Sequence, residues 1–172
     1  FLDPIAQREP ETLATLLELA EINSGSQNLA GLARMHERLE ALFAPLGGRH
    51  ESLELPPYQV VNKQGELEAR ALGRALRISK RPEAPLQVFL GGHMDTVFGA
   101  ESAFQTCRWL DEQTLNGPGV ADLKGGLLVI RNALEAFEQS PWAEQLGWEI
   151  LINPDEEIGS PGSAPLLLEA AR

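Results

Sequence analysis

Only one cysteine, Cys107, occurs in 172 residues, which excludes an internal disulfide. Nothing in its neighbourhood activates a thiol, so Cys107 reads as a small apolar strand residue and not as a nucleophile. Basic residues are scarce. Fourteen Lys and Arg against 25 Asp and Glu leave a net charge of −11, with the acids scattered along the chain. That balance disfavours nucleic acid and anionic membrane as partners. No apolar run approaches the roughly 20 residues needed to span a bilayer. A signal-peptide pattern is also missing, although the chain opens on Phe1 and not on Met. A cytoplasmic location is expected, with periplasm or exterior left open. Internal repeats, linkers and low-complexity segments are absent too. What is present is a 43% hydrophobic composition, enough for one globular domain with a real core.

The periodicity alternates between helix and strand. Pro10-Glu11 opens a helix with an apolar stripe at Leu13, Leu16, Leu17 and Ala20, and Asn23-Ser24-Gly25-Ser26 stops it. A second helix runs from about Asn28 to Ala44, with Leu29, Leu32, Met35, Leu39, Leu42 and Phe43 inward. Pro45 and Gly47-Gly48 end it. His36 and His50 read as border or surface residues. Leu53, Leu55, Val60 and Val61, a turn at Asn62-Lys63-Gln64-Gly65, and the alternation Leu72, Arg74, Leu76, Ile78 predict a hairpin. Pro56-Pro57 confines its first strand to an edge or makes it irregular. Leu86–Leu90 and Trp148–Ile152 read as buried strands, and Thr106–Leu110 as a short one before a turn. A helix is expected from Asp122, with Leu127, Ile130, Leu134 and Phe137 on one face, and a last helix after Ser160-Pro161. The order predicts an α/β fold, a mixed β-sheet flanked by helices.

Three loop segments carry chemistry, and each sits where a strand or turn runs out. The first is Gly91-Gly92-His93-Met94-Asp95-Thr96-Val97, the second Gly117-Pro118-Gly119-Val120-Ala121-Asp122-Leu123-Lys124-Gly125-Gly126, and the third Asn153-Pro154-Asp155-Glu156-Glu157-Ile158-Gly159-Ser160. Ligands gather at the carboxyl ends of strands in open α/β sheets. An imidazole nitrogen with carboxylates suits zinc, cobalt or manganese. Asp95, two residues beyond His93, lies on the same side of an extended segment and is placed to orient the imidazole. Asp122 alone reads first as a helix N-cap, and Glu156-Glu157 alone reads equally as a solvated acidic turn. Lys124 and Gly125-Gly126 break helix rules in the first turn, as functional sites often do.

Together, in this order, the three segments resemble the zinc-dependent aminoacylase and carboxypeptidase family, the M20-type metallopeptidases. The wording is most similar to bacterial glutamate carboxypeptidase, and Asn23-Ser24-Gly25-Ser26 resembles the family's early serine-glycine signature. The resemblance implies a zinc-exopeptidase-like catalytic domain holding two divalent metal ions, zinc or else cobalt or manganese. It implies His93 on one metal, Asp122 bridging both, Glu157 on the other, Glu156 as general base and Asp95 behind His93. It also implies a cis Asp122–Leu123 peptide bond. The activity implied is cleavage of an amide or peptide bond next to an amino-acid carboxylate, in a small peptide or N-acyl amino acid. The full-length form is implied to be a homodimer through a lid domain.

The resemblance is not complete. A later acidic ligand, a histidine ligand and the inserted lid domain have no counterpart here. Residues 1–172 are therefore expected to be the N-terminal segment of one catalytic domain, incomplete at the C-terminus. Alone, such a segment is expected to bind metal weakly or not at all and to be inactive. Two alternatives stay open: an N-acyl amino acid deacylase of the same family, and a non-catalytic, metal-free domain. A Ser or Cys hydrolase is disfavoured, because Ser24 and Ser26 lack a histidine motif.

Overall fold

The computed structural model describes residues 3–171, so the expected bounds 1 and 172 lie just outside the described residues. Two N-terminal helices, α1 (Asp3–Gln7) and α2 (Glu9–Glu21), precede α3 (Leu29–Phe43). Strands β1 (Arg49–Leu53), β2 (Tyr58–Val61), β3 (Leu67–Arg70), β4 (Ala75–Lys80) and β5 (Leu86–His93) follow. Next come a small ribbon of β6 (Arg108–Trp109) and β7 (Leu115–Asn116), then α4 (Gly125–Glu138), β8 (Leu146–Asn153) and α5 (Ala164–Ala170). The main sheet has the order β1-β4-β8-β5. β8 pairs antiparallel with β4 and parallel with β5, so the sheet is mixed, as expected. No described helix is long and apolar enough to cross a membrane.

One face of the sheet carries the core. Leu76, Ile78, Trp148, Ile150 and Ile152 pack there with Leu19 of α2, Leu32, Met35, Leu39 and Phe43 of α3, and Leu127 and Leu134 of α4. The cross-strand register Leu76↔Ile152 and Ile78↔Ile150 puts these side chains opposite one another, which is how a half-buried sheet gains its stability. α4 packs tightly on β5 at Gly92, where an added Cβ would lie 2.8 Å from Leu127. The opposite face is mixed: Leu151, paired with Arg77, is fully buried, while Arg77 lies 3.5 Å from both Glu149 and the α5 residue Glu169.

Local chemistry explains the element ends. The Asn28 side chain accepts from the Gly31 amide at 3.0 Å and caps α3. Pro10 and the acidic pair Glu9 and Glu11 sit in the first turn of α2.

Several expectations need correction. The hairpin is split. β1 stops before Pro56-Pro57 and pairs with β4, while β2 and β3 fold into a separate ribbon between them. Proline cannot donate to a ladder, so the chain leaves the sheet there and re-enters only at Ala75. Leu29 is 42% exposed because it opens the first turn of α3, off the stripe. His36 is buried, with Nε2 3.0 Å from Ser52 Oγ, because β1 folds over that side of α3. Leu19, not Leu13 or Leu17, is the fully buried leucine of α2. α4 begins at Gly125 and not at Asp122, whose φ of −128° and ψ of 98° are non-helical. α5 begins at Ala164 because the amides of Gly162 and Ser163 are held by the Asp155 carboxylate, and α5 buries none of its residues.

The C-terminal end of α4 is tied to the sheet by Glu138. Its carboxylate accepts from Lys80, from Arg81 and from the Trp148 indole. Burial alone would raise the Glu138 pKa, but the Arg81, Lys80 and Trp148 donors reverse this and hold it at about 2. The depressed value means that the contribution is complete above the ordinary 4.5 and is lost as pH falls through about 2. Glu138→Gln is expected to lose about 2–3 kcal/mol at pH 7. Urea denaturation at a series of pH values should show wild type and variant converging as pH approaches 2; a constant gap would refute the assignment.

Candidate metal centre

The parallel pairing of β5 with β8 ends at His93↔Asn153, so two of the three segments leave the sheet side by side. The Met94 amide extends the ladder by donating to the Asn153 carbonyl at 2.8 Å. His93 is 6% exposed and Asp95 is fully buried. The His93 ring presents Nδ1 to the Asp95 backbone oxygen at 3.1 Å and to Asp95 Oδ1 at 3.3 Å. Nδ1–H is the donor there, which leaves Nε2 facing outward.

The other oxygen of Asp95 is equally engaged. Oδ2 accepts from Ser26 Oγ at 2.7 Å and from the Glu157 amide at 3.1 Å, while Oδ1 accepts from the Glu156 amide at 3.2 Å. Asp95 thus fixes the histidine and the backbone of the acidic pair at once. Ser26 arrives through a bridge of Gly25 to Thr96, with Thr96 donating to Ser24 and Ser26 donating to Thr96.

The remaining segment, the one from Gly117 to Gly126, is brought in by a kink ahead of α4. Gly119 has a φ of 72°, a conformation that suits glycine, and an added Cβ there would lie 3.1 Å from the Lys124 stem. Lys124 is 1% exposed and its ammonium donates to the Ile22 carbonyl at 2.9 Å, pinning the kink to the end of α2. Burial lowers its pKa to about 8. The Asp122–Leu123 bond is cis, as the resemblance implied. Asp122 does not cap α4. Its Oδ1 lies 2.8 Å from His93 Nε2.

One donor atom each from His93, Asp122 and Glu157 therefore lie within 4.8 Å of one another. Glu156 Oε2 stands 3.9 Å from His93 Nε2 on a side chain that is 54% exposed. All five expected residues meet at one place. Adjacent Glu156 and Glu157 differ in exposure, Glu157 being the more sheltered. Burial, then the nearby Asp122 charge, raises the Glu157 pKa. Burial disfavours the His93 cation, but bonding to Asp95 and Asp122 outweighs this and raises its pKa to about 9. One imidazole nitrogen and crowded carboxylate oxygens form a donor set that fits a divalent cation of the zinc type. Asp155 is not part of a solvated turn. It is fully buried and accepts from Gly162, Ser163 and Asn153.

Sequence reasoning had not given Ser26 and Lys124 these roles. Their partners lie 69 and 102 positions away, and no local pattern encodes such contacts. The nucleophile alternative gains nothing: burial pushes the Cys107 thiol up, and Ser26 bonds a carboxylate instead of an imidazole.

Comparison with known proteins agrees with this geometry. Residues 89–172 match the profile of peptidase family M20/M25/M40. Carboxypeptidase G2 of Pseudomonas sp. (strain RS-16) is 29% identical over 167 residues, covering 95% of this chain and 37% of that protein. Human carnosine dipeptidase 1 aligns with a TM-score of 0.76 at 23% identity, over 98% of this chain and 36% of that one. The di-peptidase Dug1p of Saccharomyces cerevisiae aligns with a TM-score of 0.76 at 17% identity, over 99% of this chain and 37% of that one. The resemblance read from the three segments is borne out, and the fold is shared with M20 exopeptidase catalytic domains. The chain spans little more than a third of the length of these relatives.

Removing the buried carboxylate strands several donors together. Asp95→Ala is expected to cost the metal-free chain about 3 kcal/mol, and Ser26→Ala about 1 kcal/mol. In urea denaturation, adding Ser26→Ala to Asp95→Ala should change little, since its acceptor is already gone. Full additivity would show that Asp95 is not the hub.

Proposed function

We propose that this chain provides part of the active centre of a metal-dependent hydrolase, one that cleaves an amide or peptide bond next to an amino-acid carboxylate. Residues 1–172 are read as the N-terminal segment of its catalytic domain. The observation that carries the reading is the convergence of His93, Asp122 and Glu157 donors within 4.8 Å, beside Glu156. The likeness to carboxypeptidase G2 supports a carboxypeptidase-like reaction; deacylation of N-acyl amino acids is the same chemistry on a different acyl group.

His93, Asp122 and Glu157 are the residues that would hold divalent metal, with zinc the expected element. Bound metal would supply Lewis acidity, lowering the pKa of a water and polarising the scissile carbonyl. Glu156 takes the proton of the attacking water as the new C–O bond forms. It then gives that proton to the amine nitrogen as the C–N bond breaks. The backbone bond from Glu156 to Asp95 keeps its carboxylate at the mouth of the site. Asp95 holds the His93 tautomer that leaves Nε2 free to ligate.

Calorimetric titration with zinc tests the ligand set. His93→Ala, Asp122→Ala and Glu157→Ala should each weaken binding tenfold or more, while Glu156→Gln should leave it within about threefold. The titration is made on the longest form of the protein that binds zinc, and three variants that match wild type there would sink the reading.

Proton release gives a second check. With its pKa raised to about 9, His93 carries a proton at neutral pH that metal must displace. Apparent zinc affinity should therefore rise from pH 6 towards about 9 and level off above it. Titrations in buffers of different ionisation enthalpy should count about one proton released at pH 7.5. In the longest form of the protein that hydrolyses N-acyl amino acids or peptides, Glu156→Gln should lower kcat by about 10²–10⁴-fold.

A further inference from the structure

Lys124 is a buried charge that meets no opposite charge. Its side chain is 1% exposed, and its ammonium donates to a neutral group, the Ile22 carbonyl, with no ion pair among the described residues. An ammonium taken out of water for one carbonyl loses more hydration than it regains. An apolar side chain of similar length would fill the same space without that cost. Fold stability therefore does not account for a lysine at this position.

What the ammonium holds is visible in the geometry. The Lys124 amide returns to the Gly119 carbonyl at 2.9 Å and closes the kink that contains Asp122. The Lys124 stem fills the inside of that kink, with Cδ and Cε both 3.1 Å from where a Gly119 Cβ would stand. The Asp122 side chain is 73% exposed and bonds His93, so the backbone of the kink is what places it. Ile22, at the far end of the ammonium's bond, opens residues 22–26. Ser26 of the same stretch holds Asp95, and the Gly25 bridge to Thr96 fixes the chain just after β5. The contacts form a closed ring. One arm runs from Ile22 through Lys124 to Asp122, the other from Ser26 through Asp95 to His93, and they meet where Nε2 and Oδ1 are 2.8 Å apart.

We propose that Lys124 is a positioning residue: its ammonium, anchored on the Ile22 carbonyl, sets the placement of Asp122 against His93 and is kept at the expense of stability. The purpose of the placement rests on the hydrolase reading, but the placement itself belongs to the metal-free chain.

Lys124→Met keeps the stem and removes the ammonium. In the metal-free chain the amide at position 124 should exchange with solvent about tenfold faster than in wild type. The His93 ring nitrogen signals should move towards their positions in Asp122→Ala. The thermal midpoint should be no lower than that of wild type, a result that a merely structural lysine would not give. In the longest form of the protein that binds zinc, the same variant should weaken binding by about tenfold. Unchanged exchange and unmoved His93 signals would overturn the proposal, and so would a midpoint that falls. A kink loosened by Lys124→Met in a protein of which no form binds zinc would leave the placement standing and sink the hydrolase reading; zinc bound equally by wild type and variant would do the reverse.

Discussion

The arrangement depends on one buried carboxylate. Asp95 is fully shielded from solvent, and a charge there is tolerable only because donors surround it. Those donors are the hydroxyl of Ser26, the His93 ring and the amides of Glu156 and Glu157. They come from the end of the first helical region, the end of β5 and the loop after β8. A single side chain therefore holds three distant stretches of chain in register. Its charge-assisted bonds are stronger than neutral ones, and losing the shared acceptor would leave every donor unsatisfied together.

The sheet makes that convergence possible. Parallel pairing of β5 and β8 aligns their carboxyl ends, so the residues that follow His93 and Asn153 emerge as neighbours. α4, the crossover between them, begins close to the same edge, and its preceding kink places Asp122 against His93. The buried ammonium of Lys124 sets the position of that kink. Three segments that break local rules for helix and turn are thus explained by one tertiary requirement, bringing carboxylates and an imidazole to a common point.

Much of this was legible in the sequence, and the reason differs by level. Strands at Leu86–Leu90 and Trp148–Ile152 announced themselves by apolar runs between turn residues, and α3 and α4 by their stripes, but only the second strand is buried: β5 is the edge of the described sheet and leaves Leu86 63% and Val88 39% exposed. The five site residues were legible because three segments in this order resemble a known family; taken one at a time, Asp122 and the Glu156-Glu157 pair read as an N-cap and a solvated turn. The split hairpin was not, since alternation across Leu72–Ile78 is shared by a loop and by β4. Which leucines of α2 would be buried, and that His36 would be covered by β1, depended on docking geometry, which periodicity does not encode. The Asp155 network hid inside an acidic run for the same reason: only folding shows that Asp155 turns inward while Glu156 turns out.

That divergence of neighbours bears on the chemistry. Asp122, Glu156 and Glu157 crowd one imidazole, whereas Asp95 and Asp155 are fully buried and enclosed by hydrogen-bond donors. The neighbouring Asp122 charge, with burial, already pushes the Glu157 carboxyl upward. Folding alone gains nothing from gathering like charges, because each one disfavours the next. A cation reverses the sign of that interaction. On the proposed function it would turn the crowding of Asp122 and Glu157 into ligation and leave the more exposed Glu156 to handle protons. Sequence position would then distribute the labour: consecutive residues after a strand point apart, so the more sheltered Glu157 would face the cation while Glu156 faces solvent.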